Sequence, residues 1–147
     1  MTLKKAERQD LPALARLACR LWPEHGEKEM QADLSQIMDK QDAAFFLAYH
    51  GDEAIGFAQC QLRQDYVEGT ESSPVGYLEG IFVSENHRQQ GVARDLLHAC
   101  EGWARAQGCK EFASDCALDN TQSLRFHLKV GFEEANRIIC FVKKLPE

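Results

Sequence analysis

The stretch VGYLEGIFVSENHRQQGVARDLLHAC, residues 75–100, decides how this chain is read. It begins with an apolar, strand-like run carrying one glutamate in its middle, and a glycine-bearing turn then opens onto helical spacing. Strand alternation puts Val75, Tyr77, Glu79, Ile81 and Val83 on one face, so Glu79 shares that face with large apolar groups. An unpaired carboxylate there is costly. Glu79 therefore either pairs with one of the chain's own Arg or Lys residues or lines a cleft that takes a cation. Gly76 and Gly80 inside the run mark a bulge or a place where another backbone or a ligand comes close. Past the turn, Val92, Leu96, Ala99 and Trp103, beside Ala93, Leu97, Cys100 and Ala104, predict a helix from about 91 to 107, closed by Gly108. In Arg88-Gln89-Gln90-Gly91-Val92-Ala93 the small residues allow a tight turn with consecutive N–H groups at a helix start. That is either a plain turn or a seat for phosphate or pyrophosphate. It is neither a Walker loop nor a GxGxxG fingerprint.

Working outward, Asp10 is placed to cap a helix with Pro12 in its first turn, and Leu14, Leu17, Ala18 and Leu21 recur at helical spacing until Trp22-Pro23. A weaker helix is predicted from about 28 to 40, with Met30, Leu34, Ile37 and Met38 on one side. Strands near 44–50 and 54–64 flank a hairpin-like turn, His50-Gly51-Asp52-Glu53. A polar loop follows at 65–74, long enough to be functional. Downstream come a strand near 110–116, a short helix carrying Leu124 and Leu128 that ends at Gly131, and a β-like final segment at 136–144. The sum is α+β: a central, mostly antiparallel sheet flanked by helices, with a βα turn near its middle.

With 147 residues and 44% hydrophobic content, one domain spanning 1–147 is expected. A formal charge of -6 and no Lys/Arg cluster argue against nucleic acid. A cationic partner fits better. Acidic residues gather at Glu24, Glu27, Glu29 and Asp33, and again at Asp65, Glu68 and Glu71, although such runs are also ordinary solvated faces. The cysteines at 19, 60, 100, 109, 116 and 140 form no CxxC pair and read as reduced core thiols. They and the five histidines lack the short spacings of a zinc site, so no metal is expected. The first residues lack the apolar core of a signal peptide, and no apolar run approaches the ~20 residues that span a bilayer. The expected location is the cytoplasm, with no membrane partner.

The string R-Q-Q-G-V-A after a strand resembles the Q/R-x-x-G-x-G/A acetyl-CoA loop of the GNAT-type N-acetyltransferase superfamily. Within it the chain is most similar to the aminoglycoside 6'-N-acetyltransferases, over nearly its whole length. The strings carrying that likeness are Leu21-Trp22-Pro23, Asp65-Tyr66-Val67, Ser72-Ser73-Pro74-Val75, Leu78-Glu79-Gly80-Ile81-Phe82-Val83, Ala113-Ser114-Asp115 and Gly131-Phe132-Glu133-Glu134. The resemblance implies a GNAT-like fold, with the pyrophosphate-binding loop between the fourth strand and the third helix. It implies acetyl-CoA as co-substrate, with pantetheine along Ile81, Phe82 and Val83 and the pyrophosphate cradled by Gln89, Gln90, Gly91, Val92, Ala93 and Arg94. It also implies that Asn120, which equally suits a helix N-cap, touches the cofactor. For the aminoglycoside it implies a site of Trp22, His25, Tyr66, Glu79 and Asp115, plus Asn136 where related enzymes can place a glutamate. Each has a plainer alternative: Trp22 closing the first helix, His25 on a surface loop, Tyr66 packing at a loop edge, Asp115 capping a turn. Phe141 stands where many members carry a tyrosine proposed as general acid.

The chemistry so implied is specific. An alkyl ammonium is not nucleophilic, so the 6'-amine loses a proton before attacking the thioester, and Glu79 is the expected base, directly or through water. Asp115 is expected to hold and orient the cationic sugar, and a backbone N–H on the 81–83 strand to steady the oxyanion. The general-acid role is thus empty at Phe141 unless Tyr66 or water fills it, and with a thiol pKa of about 8.5 the CoA thiolate is a fair leaving group without protonation. Direct transfer in a ternary complex is expected, with no acyl-cysteine, from a homodimer. The alternatives are an N-acetyltransferase of polyamines or protein amines, and a non-catalytic acyl-CoA-binding module.

Overall fold

Residues 1–147 are described by a computed structural model, in two units, Met1–Asp115 and Cys116–Glu147. The first unit is built on strands β1 (Thr2–Lys5), β2 (Ala43–His50), β3 (Glu53–Arg63), β4 (Val75–Val83) and β5 (Phe112–Ala113). They form one sheet in that order, antiparallel from β1 to β4 and parallel between β4 and β5. The predicted hairpin is present: His50 pairs with Glu53 and leaves Gly51, at φ 61°, and Asp52 as a two-residue turn. β1 is a strand that periodicity did not reveal.

Two helices, α1 (Leu11–Leu21) and α2 (Glu27–Met38), cover one face of the sheet. Leu14, Leu17 and Ala18 of α1 and Met30 and Leu34 of α2 bury against Phe45, Leu47 and Phe57. A third, α3 (Val92–Ala106), covers the other face. There Gly56 and Gly76 are glycine for space: a Cβ on Gly76 would sit 2.7 Å from Ala104 Cβ and 2.6 Å from the Phe112 ring. Gly76 thus serves close packing of protein on protein.

Asp10 occupies the N-cap position of α1, but its side chain makes no capping bond. Instead, its buried carboxylate accepts from the Glu7 N–H at 2.8 Å and the Tyr49 hydroxyl at 3.0 Å and pairs with Lys4 Nζ at 2.9 Å. It therefore ties β1, the start of α1 and β2 together. Burial pushes this carboxyl up, but the bonds from Glu7, Lys4 and Tyr49 outweigh burial and hold it below the usual carboxylate range. A folded value below the unfolded one stabilises the fold above about pH 4, and that contribution is lost as pH falls through the folded value. Asp10→Ala leaves its three partners without their acceptor and is expected to cost about 3 kcal/mol at neutral pH. Denaturant melts at neutral and acid pH check this: the gap between variant and parent should close on acidification.

Strand alternation fails at one residue of β4. Gln59 pairs with Gly80 but Cys60 pairs with Leu78, so Glu79 is an extra residue, a β-bulge. The bulge reverses the faces beyond it. Val75, Tyr77, Gly80 and Phe82 lie on the α1 side, with Ile81 and Val83 on the α3 side, so the expected single face from Val75 to Val83 is corrected.

Cys60, Cys100 and Cys109 are buried thiols, but Cys19 and Cys116 are half-buried and Cys140 is exposed, which corrects the expectation that all six belong to the core. The hydrogen bond with the neighbouring Cys60 and then burial push the Cys100 thiol far up, and it stays protonated. No helix is long and apolar enough to cross a membrane.

The second unit holds α4 (Thr121–Lys129), capped by Asn120, whose side chain accepts from the Ser123 N–H at 3.1 Å. Gly131, at φ 106°, follows its end. The β-like expectation for 136–144 is not met: this segment carries no strand. A strand needs a ladder partner, and the second unit has no other extended element to provide one. Ile138, Ile139, Phe141, Val142 and Leu145 are consequently exposed, from 70% to 96%.

Candidate active site

The bulge gives Glu79 its surroundings. Its carboxylate takes a two-pronged grip from Arg63 at the end of β3: Nε to Oε2 at 3.2 Å, Nη2 to Oε1 at 3.0 Å and to Oε2 at 3.1 Å. Of the two possibilities left by the sequence, pairing with the chain's own cation is therefore realised. Half-buried, Glu79 still keeps lone pairs that Arg63 does not use, since a carboxylate offers about four acceptor sites. The same guanidinium lies over the Tyr77 ring, 3.4 Å from its centroid. The Tyr77 hydroxyl in turn donates to Asp115. Burial first, then this bond to Asp115, raises the Tyr77 hydroxyl well above its ordinary value, so it remains a proton donor. Glu79, Arg63, Tyr77 and Asp115 thus form one connected polar chain across the edge of the sheet.

Trp22 borders the same chain. It follows α1 and packs edge-on against Phe57, with centroids 6.0 Å apart, and a Cβ on Gly80 would lie 2.7 Å from its ring. Gly80 is thus glycine because the Trp22 indole lies on the backbone next to Glu79. The plainer reading of Trp22, closing the first helix against the core, holds as well. Tyr66 is 75% exposed, its hydroxyl oxygen accepting from the Gly69 N–H at 3.3 Å. It lines, with Arg63 and Asp65, a cleft of about 380 Å3. The loop behind it is held by Glu111, which accepts from the Glu71 N–H at 2.8 Å. His25 lies one turn past Trp22, its Nδ1 2.9 Å from Glu29 and its Nε2 3.7 Å from Glu24. The bond to Glu29 lifts this imidazole above its ordinary value, which favours a charged ring. A larger cavity, about 580 Å3 between Lys5–Arg8, Met38–Phe45 and Trp103, contains none of the predicted residues.

On the cofactor side, β4 outruns its neighbour. The parallel register with β5 covers only Gly76 and Tyr77, so from Leu78 to Val83 β4 has a ladder partner only in β3. Ile81, Phe82 and Val83 lie along that open edge, which suits an extended ligand added as a further strand. The Val83 carbonyl accepts from Arg88 Nε at 2.8 Å, drawing the following loop back to the strand. Gln89, at φ 62°, and Gly91, at φ 82°, both take the left-handed conformation there. The first N–H to find a carbonyl within α3 is that of Asp95, bonded to Gly91 at 3.0 Å. The amides of Val92, Ala93 and Arg94 therefore face outward at the positive end of the helix, where an anion is stabilised.

Asn120 and Asn136 belong to the second unit, where Asn120 caps α4 and the Asn136 side chain accepts from the Arg137 N–H at 2.8 Å. Arg63 and Tyr77 escaped the sequence reading as site residues. For Arg63 the signal existed: alternation along β3 aligns Gln59, Gln61 and Arg63 on one face, opposite Gly80, Tyr77 and Val75.

A family model described as the acetyltransferase (GNAT) family matches residues 11–132. Aminoglycoside N(6')-acetyltransferase type 1 of Salmonella typhimurium (strain LT2) is 41% identical over 98% of this chain and 99% of its own. The solved structure of AAC(6')-Iy with the bisubstrate analog CoA-S-monomethyl-acetylneamine superposes with a TM-score of 0.93 at 40% identity, covering 98% of both chains. That of AAC(6')-IG from Acinetobacter haemolyticus gives 0.93 at 39% identity, covering 99% of this chain and 100% of the other. With an open β4 edge running into a glycine-turned helix start, the chain belongs to the GNAT acetyltransferase family and, within it, to the group of these aminoglycoside 6'-N-acetyltransferase relatives.

Proposed function

We propose that this protein transfers the acetyl group of acetyl-CoA to the 6'-amine of aminoglycosides, by direct attack in a ternary complex. One observation carries the reading: a single strand, β4, has an open edge leading to the anion-binding end of α3 and also bears Glu79 between Trp22 and Arg63. The amides of residues 89–94 hold the pyrophosphate and Ile81–Val83 align the pantetheine arm. The thioester is thereby brought beside Glu79. Glu79 accepts the proton of the acceptor's ammonium, and Asp115, positioned by Tyr77, orients the remaining charges. The neutral amine then attacks, a strand N–H steadies the oxyanion, and the CoA thiolate leaves. Acetylation removes a positive charge from the drug, and with it the ion pairs the amine made at its target, which supports a role in resistance.

The match over residues 11–132 spans both units and supports reading the chain as one acetyltransferase domain. Dependence on acetyl-CoA supports a cytoplasmic location, where thiols such as the exposed Cys140 stay reduced. It works as a homodimer, for the apolar stripe from Ile138 to Leu145 is too exposed for a lone chain, and a second copy offers the same surface in return. Sizing at micromolar concentration should give twice the monomer mass; a monomer would refute the dimer. For the function, incubation with acetyl-CoA and kanamycin should yield a product acetylated on the 6' nitrogen alone. Acetyl on another amine, or on a cysteine of the protein, would overturn the reading.

A further inference from the structure

Glu111 stands outside the cleft, directly before β5, yet it grips the loop of residues 65–74 from behind. Its Oε1 accepts from the Glu71 N–H at 2.8 Å and from the Ser72 hydroxyl. Those donors, the Ser72 hydroxyl foremost, hold the Glu111 carboxyl below the usual carboxylate range. Its main-chain carbonyl also accepts from the Gly76 N–H at 3.1 Å, so one residue holds both the far end of the loop and the head of β4. The rest of the loop is tied to itself. The Val67 carbonyl accepts from the Thr70 N–H at 3.1 Å and from the Thr70 hydroxyl at 2.7 Å, and the Ser73 hydroxyl donates to the Gln64 carbonyl at 2.9 Å. These bonds brace the loop as a compact unit, anchored to the sheet where Val67 buries against Val75, Tyr77 and Ala113 and where Glu111 clamps residues 71 and 72. Tyr66 depends on such anchors, because at 75% exposure little packing holds its ring.

We propose that Glu111 is a positioning residue for acceptor binding: by clamping residues 71 and 72 it sets where the loop presents Asp65 and Tyr66 to the cleft, without touching the acceptor itself. This rests on the reading that the aminoglycoside lies against Tyr66. With the clamp in place the loop is ordered before the acceptor arrives, so binding free energy does not go into ordering it. Without the clamp the loop populates other arrangements, and the apparent affinity for the acceptor falls in proportion to the fraction still competent. Glu79 lies on β4 and the anion-binding amides open α3, so proton transfer from a bound acceptor and coenzyme binding do not depend on the clamp. The signature is therefore in KM for the sugar. The main-chain bond from Gly76 survives any side chain at position 111, so the β4–β5 junction is retained in the variants.

The test is steady-state kinetics with kanamycin beside calorimetric titration of acetyl-CoA. Glu111→Ala should raise KM for kanamycin by about three- to tenfold, the scale of charge-assisted hydrogen bonds at a half-exposed site, with kcat and the Kd for acetyl-CoA at parental values. Glu111→Gln keeps an acceptor oxygen for both donors and should bring KM back to within about twofold of the parent. A parental KM in E111A, or an E111Q as weak as E111A, would overturn the proposal. So would a loss of kcat or of coenzyme affinity as large as the change in KM. Where E111A does not fold, Ser72→Ala carries the test by removing one donor from the loop side: KM raised by about two- to threefold supports the clamp, and a parental KM overturns it. A parent enzyme that does not acetylate kanamycin would instead refute the proposed function.

Discussion

Replacing Glu79 by glutamine is expected to lower kcat/KM for a 6'-amino sugar by about 10²–10⁴-fold, the scale of general-base catalysis, with the Kd for acetyl-CoA unchanged. Glutamine keeps the shape and one oxygen for Arg63 but cannot take a proton from an ammonium. The fold should tolerate the change, because Arg63 is 41% exposed at the end of β3 and water can replace the lost bonds. Steady-state kinetics beside calorimetric coenzyme titration separates the two halves of the site. Unchanged turnover would show that Glu79 is only an anchor for Arg63, its plainer reading from the sequence.

The second large effect belongs to the loop. Gly91 sits at φ 82° directly before α3, where a β-branched residue costs about 1–3 kcal/mol. Gly91→Val can relieve that strain by leaving the left-handed conformation, which turns the amides of Val92 to Arg94 away from a common anion. Restoring the conformation on binding returns the cost, so the Kd for acetyl-CoA should rise about 10–100-fold. KM for the sugar should change little. A coenzyme affinity equal to the parent's would mean that the helix mouth does not hold the pyrophosphate.

These expectations draw on features that the sequence exposes unequally. The limits of β4, the Gly51 hairpin and α3 were legible because apolar periodicity and turn glycines mark them directly. β1 was not: its TLKK is a four-residue edge strand with two lysines, a pattern that protects edges and carries little periodicity. Only Phe112–Ala113 of the predicted strand near 110–116 pairs, because β4 and β5 share just that register. The bulge at Glu79 depends on how β3 pairs with β4, and no one-strand pattern contains it. Its consequences are central to the site, for it breaks the expected alternation and sets Glu79 beside Arg63. Gly80 was flagged as a point of close approach, and the Trp22 indole proved to be what approaches. The tail at 136–144 has strand-forming letters but no partner within its own unit, so propensity alone did not make a strand.

The most direct test of the central claim is CoA thiol release from acetyl-CoA with two sugars that differ only in bearing an amine or a hydroxyl at the 6' position. Saturable release with the amine and only background with the hydroxyl is the predicted result. Equal release with both, or none with either, would contradict the account.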